Sequence, residues 1–560
     1  MTSIFAKTFI LTGSIIALGS NDPSQAAVPP TSGSQMQQIP PAPAQRKTEP
    51  KIDIRDNTKR LDDYTDKATA QIKKITILGS TIFQASTLLA ATNFKSDSLL
   101  SLTDLRHIAR EIENYYHKNG YFAAQTYLPA QEINNGDVRI VVLEGRYGKI
   151  SLNNHSRLST NLARDFIKPI HQGDAISTPS LERSLLLLSD VPGIDVHSTL
   201  TPGASIGASD LIVDVAPGPL LSGSVDGDNG GNRYTGAYRA GGTLNANGLV
   251  GYGDVLTLRV LSSGAGLKYG RIAYQAQAGQ GKVGIAYSIL DYQLGKEFSG
   301  LLAHGTAQIA SIYTSYPLIR SRRNNLYGQI AFDRKRFKDQ LDSLSSSTGK
   351  SSDVLMLSLK GDSIDRFGGG GRNSFYVTFT DGRLGLGDPA ELATDAITAK
   401  TNGHFSKIGF SASRSQNIDN VTTAFAAING QLAWNNLDVS EKIELGGASG
   451  VRAYPEGEAY GDRGFVLNLE VRRQLPKLPA LPGIFQLVGF FDVGTVAFNA
   501  KPWTIGTNHK TLAGAGVGLN WAGPGNLAVR VNYARRIGET MATSAPDKSG
   551  RFWMQLIKYF

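Results

Sequence analysis

Two short segments near the C-terminus carry the residues with the clearest chemical potential. One runs Val451-Arg452-Ala453-Tyr454-Pro455-Glu456-Gly457-Glu458-Ala459-Tyr460-Gly461-Asp462-Arg463-Gly464, the other Phe490-Phe491-Asp492-Val493-Gly494. The first is a charged, glycine-rich loop that cannot continue a strand. The second sits in a strand-like run from Ile484 to Val496, where a lone carboxylate needs a partner or water. Arg452 is the candidate partner, because a guanidinium and a carboxylate form a charge-assisted, two-pronged bond. This is binding chemistry. The 8 histidines are dispersed: His107 and His117 fall on one predicted helix, His155, His171, His304 and His404 stand alone, and none has metal-ligand spacing. Gly368-Gly369-Gly370-Gly371 and Gly241-Gly242 lack the strand-loop-helix context of a phosphate loop and read as turns. No enzymatic activity, cofactor or metal is expected.

The elements that position Arg452 and Asp492 are strands. Leu487, Phe491 and Val493 share one face of their segment, and Phe490, Asp492 and Gly494 share the other. The same two-residue period recurs from about Leu220 to Phe560. Leu467, Leu469 and Val471 oppose Asn468, Glu470 and Arg472; Leu355, Leu357 and Leu359 oppose Ser358 and Lys360; Leu527, Val529, Val531 and Tyr533 oppose Arg530, Asn532 and Arg536. Apolar-out, polar-in alternation is the pattern of a membrane β-barrel. Roughly 16 such segments fit, at about 21 residues per strand and connection. The chain ends Arg551-Phe552-Trp553-Met554-Gln555-Leu556-Ile557-Lys558-Tyr559-Phe560, an aromatic terminal strand whose alternation Lys558 interrupts. In a barrel Asp492 points into the lumen. Gly494 then leaves room for a loop, and Pro455 with its neighbouring glycines allows a sharp fold. Spacing alone leaves two readings open: a loop tucked into the barrel and latched to its wall, or a solvated loop and an unrelated lumen charge.

Composition agrees with export to an outer membrane. Lys7 precedes an apolar run from Phe9 to Leu18, too short to cross a bilayer as a helix, and Ser24-Gln25-Ala26 supplies small residues. Residues 1–26 therefore read as a signal peptide. There is no cysteine, Gly (62), Phe (22) and Tyr (21) are plentiful, and the net charge is +10. The basic residues are scattered with no aromatic-interleaved stripe, which argues against nucleic acid. Residues 27–72 read as a linker rich in Pro, Gln and Ser, with a charged stretch, Lys51 to Gln71, that admits a short helix able to occupy a pore.

Two small β-α-α-β-β units follow. In residues 73–146, strand Lys74–Leu78 precedes a helical segment, then a helix over Leu102–His117 with Leu105, Ile108, Ile112, Tyr115 and Tyr116 at helical spacing, then strands Tyr121–Leu128 and Asp137–Leu143. Residues 147–217 repeat the order, with strands near Lys149–Leu152, Ile194–Leu200 and Asp210–Val215 and helices over Asn161–Ile167 and Pro179–Leu188. Each unit is large enough for a small core, and its sheet edges can accept an extended peptide.

This order, together with the Val-Arg-Ala-Tyr-Pro and Phe-Phe-Asp-Val-Gly segments, resembles the outer-membrane transporters of two-partner secretion, the TpsB-type exporters of haemolysins and filamentous haemagglutinins. The resemblance spans essentially the whole mature chain. It implies two POTRA domains, residues 73–146 and 147–217, in the periplasm, followed by a 16-stranded antiparallel transmembrane β-barrel over residues 218–560. Arg452 would be the arginine at the tip of the sixth extracellular loop, and Asp492 its partner on the thirteenth strand, with Val451, Tyr454, Phe490 and Gly494 as supporting motif residues. Ala453 stands where the wider superfamily has glycine. The resemblance also implies a large secreted partner, a TpsA-like adhesin or haemolysin, outer-membrane lipid around the barrel, and insertion by the barrel-assembly machinery. A barrel-assembly factor is the alternative, and such factors usually carry three or more POTRA units.

Overall fold

The computed structural model describes residues 29–43, 68–477 and 481–560, and the backbone of 51–54. The expected signal peptide, residues 1–26, lies outside them. Sixteen antiparallel strands close into a barrel, from Leu221–Asp228 to Gly550–Tyr559. The first strand pairs with the last from Ser224 opposite Tyr559 to Asp228 opposite Gln555, so no edge is left open. Leu355, Leu357 and Leu359 are exposed on the outer wall, as are Phe375, Val377 and Phe379. Isolated from lipid such a band is unfavourable; around a barrel it is the hydrocarbon-facing surface. Lys558, which interrupts the terminal alternation, reaches the carbonyl of Gly525 at the neighbouring turn.

Residues 68–217 fold into two units ahead of the barrel. In the first, Lys74–Leu78 runs parallel to Asp137–Leu143, and Gln125–Tyr127 pairs antiparallel on its other side. A further pair, Thr69–Ile72 with Ser98–Ser101, has no counterpart in the sequence expectation. Helix Leu102–Lys118 starts at a capping box between Ser101 and Asp104, and buries Leu105, Ile108, Ile112 and Tyr116 against the sheet. In the second, helices Thr160–Ile167 and Thr178–Ser189 cover a sheet with Phe166, Leu181, Leu185, Val213 and Val215 in its core. This unit is pinned to the turn between the sixth and seventh barrel strands, Ala303–Arg320 and Asn324–Leu341. There Arg320 Nε lies 2.7 Å from Asp190, and Arg322 lies 3.2 Å from Glu182.

The N-terminal stretch differs from the expected extended linker. Ser32–Gln37 forms a helix, capped by Thr31 and Ser34, and it lies inside the barrel. The Ser32 amide and hydroxyl donate to the two oxygens of Asp339, at 2.7 and 2.9 Å. The Thr235 hydroxyl donates to Gln35 Oε1 (2.7 Å), and Gln38 Nε2 donates to the Tyr460 hydroxyl (2.6 Å). Ser32, Ser34 and Gln35 are buried. Six residues without an apolar period have too little intrinsic helicity to announce themselves; the lumen wall supplies the partners that hold the turn. The sequence admits a short helix able to occupy a pore in Lys51–Gln71 rather than here. Within that stretch, Lys51–Ile54 is a strand, Thr69–Ile72 is a strand, and residues 55–67 lie outside the described set.

Gly33 makes the fit between helix and loop. A Cβ at this position would sit 2.7 Å from the Ser440 Cβ. Gly33→Val is therefore expected to expel the helix and raise the conductance of the reconstituted barrel several-fold in planar bilayers, with the barrel's heat-modifiable migration on gels unchanged. Native-like conductance of that variant would contradict the packing.

Candidate functional site: a buried arginine clamp inside the barrel

The long connection between the eleventh and twelfth barrel strands, Thr422–Ala433 and Arg463–Gln474, does not stand out in solvent. It folds back into the lumen. Its tip is tightened by the Val451 amide donating to the Leu445 carbonyl (2.7 Å) and the Tyr454 amide to the Val451 carbonyl (3.0 Å). Leu445, Val451, Ala453 and Tyr454 are buried in a small apolar cluster with Val466, Val488, Phe490 and Val496 of the wall. The Tyr454 hydroxyl donates to the Thr540 carbonyl at 2.9 Å. Apolar contact thus seats the loop, and polar contact fixes its register.

The structure brings Arg452 and Asp492 together. Asp492 lies on the thirteenth strand, Ile484–Ala497, and is fully buried. The Arg452 guanidinium donates to it twice, Nε to Oδ2 at 2.8 Å and Nη2 to Oδ1 at 2.7 Å, and the Arg452 backbone amide adds a third bond at 3.1 Å. The planar fork matches the carboxylate, a geometry lysine cannot reproduce. Phe490 lies beneath: the guanidinium carbon is 3.5 Å from its ring centroid, a cation–π contact strengthened by exclusion of water. At Gly494 a Cβ would lie 2.9 Å from Leu445 Cδ2, so glycine is what admits the loop.

Other members of the site were not singled out from sequence. Glu470, on the twelfth strand, accepts from Arg452 Nη1 at 2.8 Å and also pairs with Arg472 at 2.7 Å. Asn468 Nδ2 donates to Asp492 Oδ1 (2.8 Å) and to the Gly450 carbonyl (3.0 Å). The Trp553 indole of the last strand donates to the Arg452 carbonyl at 2.6 Å. Glu470 and Asn468 were visible as the polar face opposite Leu467, Leu469 and Val471; no local signal ties Trp553 to the loop. The methyl of Ala453 has its own vacancy, since a Cβ on Gly514 would fall 2.4 Å from it. The alanine that departs from the superfamily pattern is matched by a missing side chain on the opposite wall.

A second set of charges holds the loop's shoulder. Glu441 is 2.6 Å from Lys335 and 3.0 Å from Lys407, and Asp438 is 2.7 Å from Lys350. These lysines come from three different strands. Lys510 reaches Glu458 at 2.6 Å and Lys442 reaches Asp462 at 2.9 Å. Each pair is largely buried, where an unpartnered charge is costly.

Removing the Asp492 charge leaves the buried Arg452 with Glu470 as its carboxylate partner, and Glu470 is shared with Arg472. Asp492→Asn is expected to weaken docking of the loop by roughly 3–5 kcal/mol. The readout is protease cleavage within residues 439–458 of the folded barrel: protected in the native protein, cleaved in the variant. Equal protection in both would contradict the assignment of docking energy to this pair.

Comparison with known proteins places this geometry. The family of haemolysin secretion/activation proteins ShlB/FhaC/HecB matches residues 207–521, and the ShlB-type POTRA domain matches residues 70–145. The heme/hemopexin transporter protein HuxB of Haemophilus influenzae (strain 86-028NP) is 29% identical over 467 residues, 82% of this chain and 81% of HuxB. The outer membrane transporter CdiB of Dickeya dadantii (strain 3937) is 24% identical over 398 residues, 68% of each chain. Among solved structures, CdiB from Escherichia coli has the same fold, with a TM-score of 0.69 at 19% identity over 90% of this chain and 93% of that one. BamA from Haemophilus ducreyi lacking POTRA domains 1-3 shares it at a TM-score of 0.55 and 14% identity, over 88% of this chain and 100% of that one. With a matching profile over more than half its length, this chain belongs to the haemolysin secretion/activation family of ShlB, FhaC and HecB.

Proposed function

We propose that this chain exports one large partner protein, of the adhesin or haemolysin kind, through its own barrel. The chain is a two-partner secretion transporter of the outer membrane, with its POTRA region in the periplasm. The observation that carries the finer reading is the content of the lumen. A short helix and a long loop fill it; an apolar cluster seats the loop tip, and hydrogen bonds and ion pairs fix both helix and loop to the wall. The polar contacts exchange for water as the lumen hydrates. A barrel closed in this way suits passage that is switched on by a cargo.

In this account the two POTRA units capture the unfolded partner in the periplasm, by strand addition and by contacts in helix-lined grooves. The helix leaves, the loop swings aside, and the partner passes through in extended form. No nucleotide is at hand in that compartment, so folding of the partner outside draws it through. Arg452 and Asp492 act as the latch that holds the loop in its closed seat, with Val451, Tyr454, Phe490 and Gly494 shaping that seat. Membrane lipid faces the apolar outer wall, and the barrel-assembly machinery inserts it.

The barrel-assembly reading shares the fold. Two POTRA-type units, where such factors usually carry three or more, favour export. Arg452→Ala is expected to lower the amount of partner in the culture medium several-fold, while the amount of folded barrel in the outer membrane stays the same. Undiminished secretion would refute the latch, and failure of any deletion of this chain to affect a large protein encoded beside it would refute the export reading.

A further inference from the structure

The sheet of the second POTRA unit contains a strand that does not belong to that unit. Its order is Lys51–Ile54, Ile194–Pro202, Ala208–Pro217, Arg146–Asn154. Three of these strands come from residues 146–217. The fourth comes from the linker, before the whole of the first unit. It runs parallel to its neighbour, with Lys51 opposite His197, Ile52 opposite Ser198, Asp53 opposite Thr199 and Ile54 opposite Leu200.

Three features of this pairing point the same way. The added strand is 4 residues long against a neighbour of 9, so Ile194–Val196 and Thr201–Pro202 are left without a partner on that side among the described residues. Four parallel pairs, closed across a long intervening chain, are a weak attachment: parallel pairing is slightly less stable per residue than antiparallel, and loop closure costs entropy. The edge beneath is a template for a longer strand, with a row of backbone donors and acceptors, Val196 and Leu200 buried on its core face and Asp195 and His197 exposed on the other. The linker also connects this strand to the helix in the lumen, whose exit is held by Arg239 Nη1 donating to the Gln38 carbonyl at 2.9 Å. Both ends of one tether are therefore docked, one on the sheet edge and one in the pore.

We propose that the Ile194–Pro202 edge receives an extended stretch of the exported chain as an added strand, and that Lys51–Ile54 occupies this edge as a built-in competitor until it is displaced. This rests on the export reading above. An incoming strand with alternating apolar and polar residues replaces four pairs by as many as nine. Its arrival frees the linker, so capture in the periplasm loosens the helix that fills the barrel.

The chain has no cysteine, so the pair Asp53→Cys and Thr199→Cys reports this contact alone. Adjacent strands lie about 4.8 Å apart, inside the Cα separation of roughly 4.4–6.8 Å that a disulfide spans. The probe is a fluorescent nine-residue peptide of alternating valine and threonine with terminal lysines, bound to the full-length protein in detergent. The expected result is that the disulfide forms in intact outer membranes, that the oxidised protein loses peptide binding, that reduction restores it, and that Ile52→Pro binds the peptide several-fold more tightly than the native chain. Failure of the disulfide to form, or equal binding by oxidised and reduced protein, overturns the proposal. The peptide assay needs no partner protein, so loss of the export reading would show in the culture medium and not here.

Discussion

A guanidinium clamped by a carboxylate, deep in a cylinder wrapped by hydrocarbon, is the contact on which the interior of this protein depends. Arg452 and Asp492 make two side-chain bonds and one backbone bond to each other, and neither has bulk water to fall back on. Such a pair is not by itself a source of great stability, because both ions had to leave water. Its value is in specificity. Only one seating of the loop brings Arg452 between Asp492, Glu470 and the ring of Phe490, and every misplacement strands a charge. Under the latch proposal, this seating is the closed position of a two-state gate.

The rest of the lumen is arranged around that seating. Glycines at 494 and 514 give the loop room, and the shoulder charges Asp438 and Glu441 tie it to three separate strands through Lys350, Lys335 and Lys407. The same shoulder carries Ser440, against which Gly33 of the lumen helix packs. Helix and loop therefore share a surface. Neither can move far without changing the partners of the other, so a barrel that looks doubly blocked is mechanically one obstacle.

Much of this was legible in the residues, for identifiable reasons. The lumen side of Asp492 follows from the period of a strand, a property of single residues in order, and so does the outward face of Leu487 and Phe491. The helix near Leu102–His117 and the strands at Lys74–Leu78 and Asp137–Leu143 follow from apolar spacing, whereas the strand Ser98–Ser101 between the two helices of the first unit does not. Features that depend on distant partners were not legible. Ser32–Gln37 has no helical pattern of its own and takes its shape from Asp339, Thr235 and Tyr460. Lys51–Ile54 reads as part of a charged linker and becomes a strand only because an edge is waiting at His197–Leu200. Trp553 reads as one aromatic of a terminal strand; its bond to the Arg452 carbonyl exists because barrel closure brings the last strand to the loop. Long-range closure decides these, and one sequence contains no local trace of it.

The central claim is that Arg452 and Asp492 act as one device in export. A double-mutant cycle on secretion tests it most directly, with Arg452→Ala, Asp492→Ala and the combined variant, and the partner in the medium measured against the folded barrel in the membrane. If the two residues form one latch, the combined variant exports no less than the worse of the two single variants, because the second change removes a partner already gone. Losses that multiply in the combined variant would mean that the two residues serve export separately, and would contradict the account.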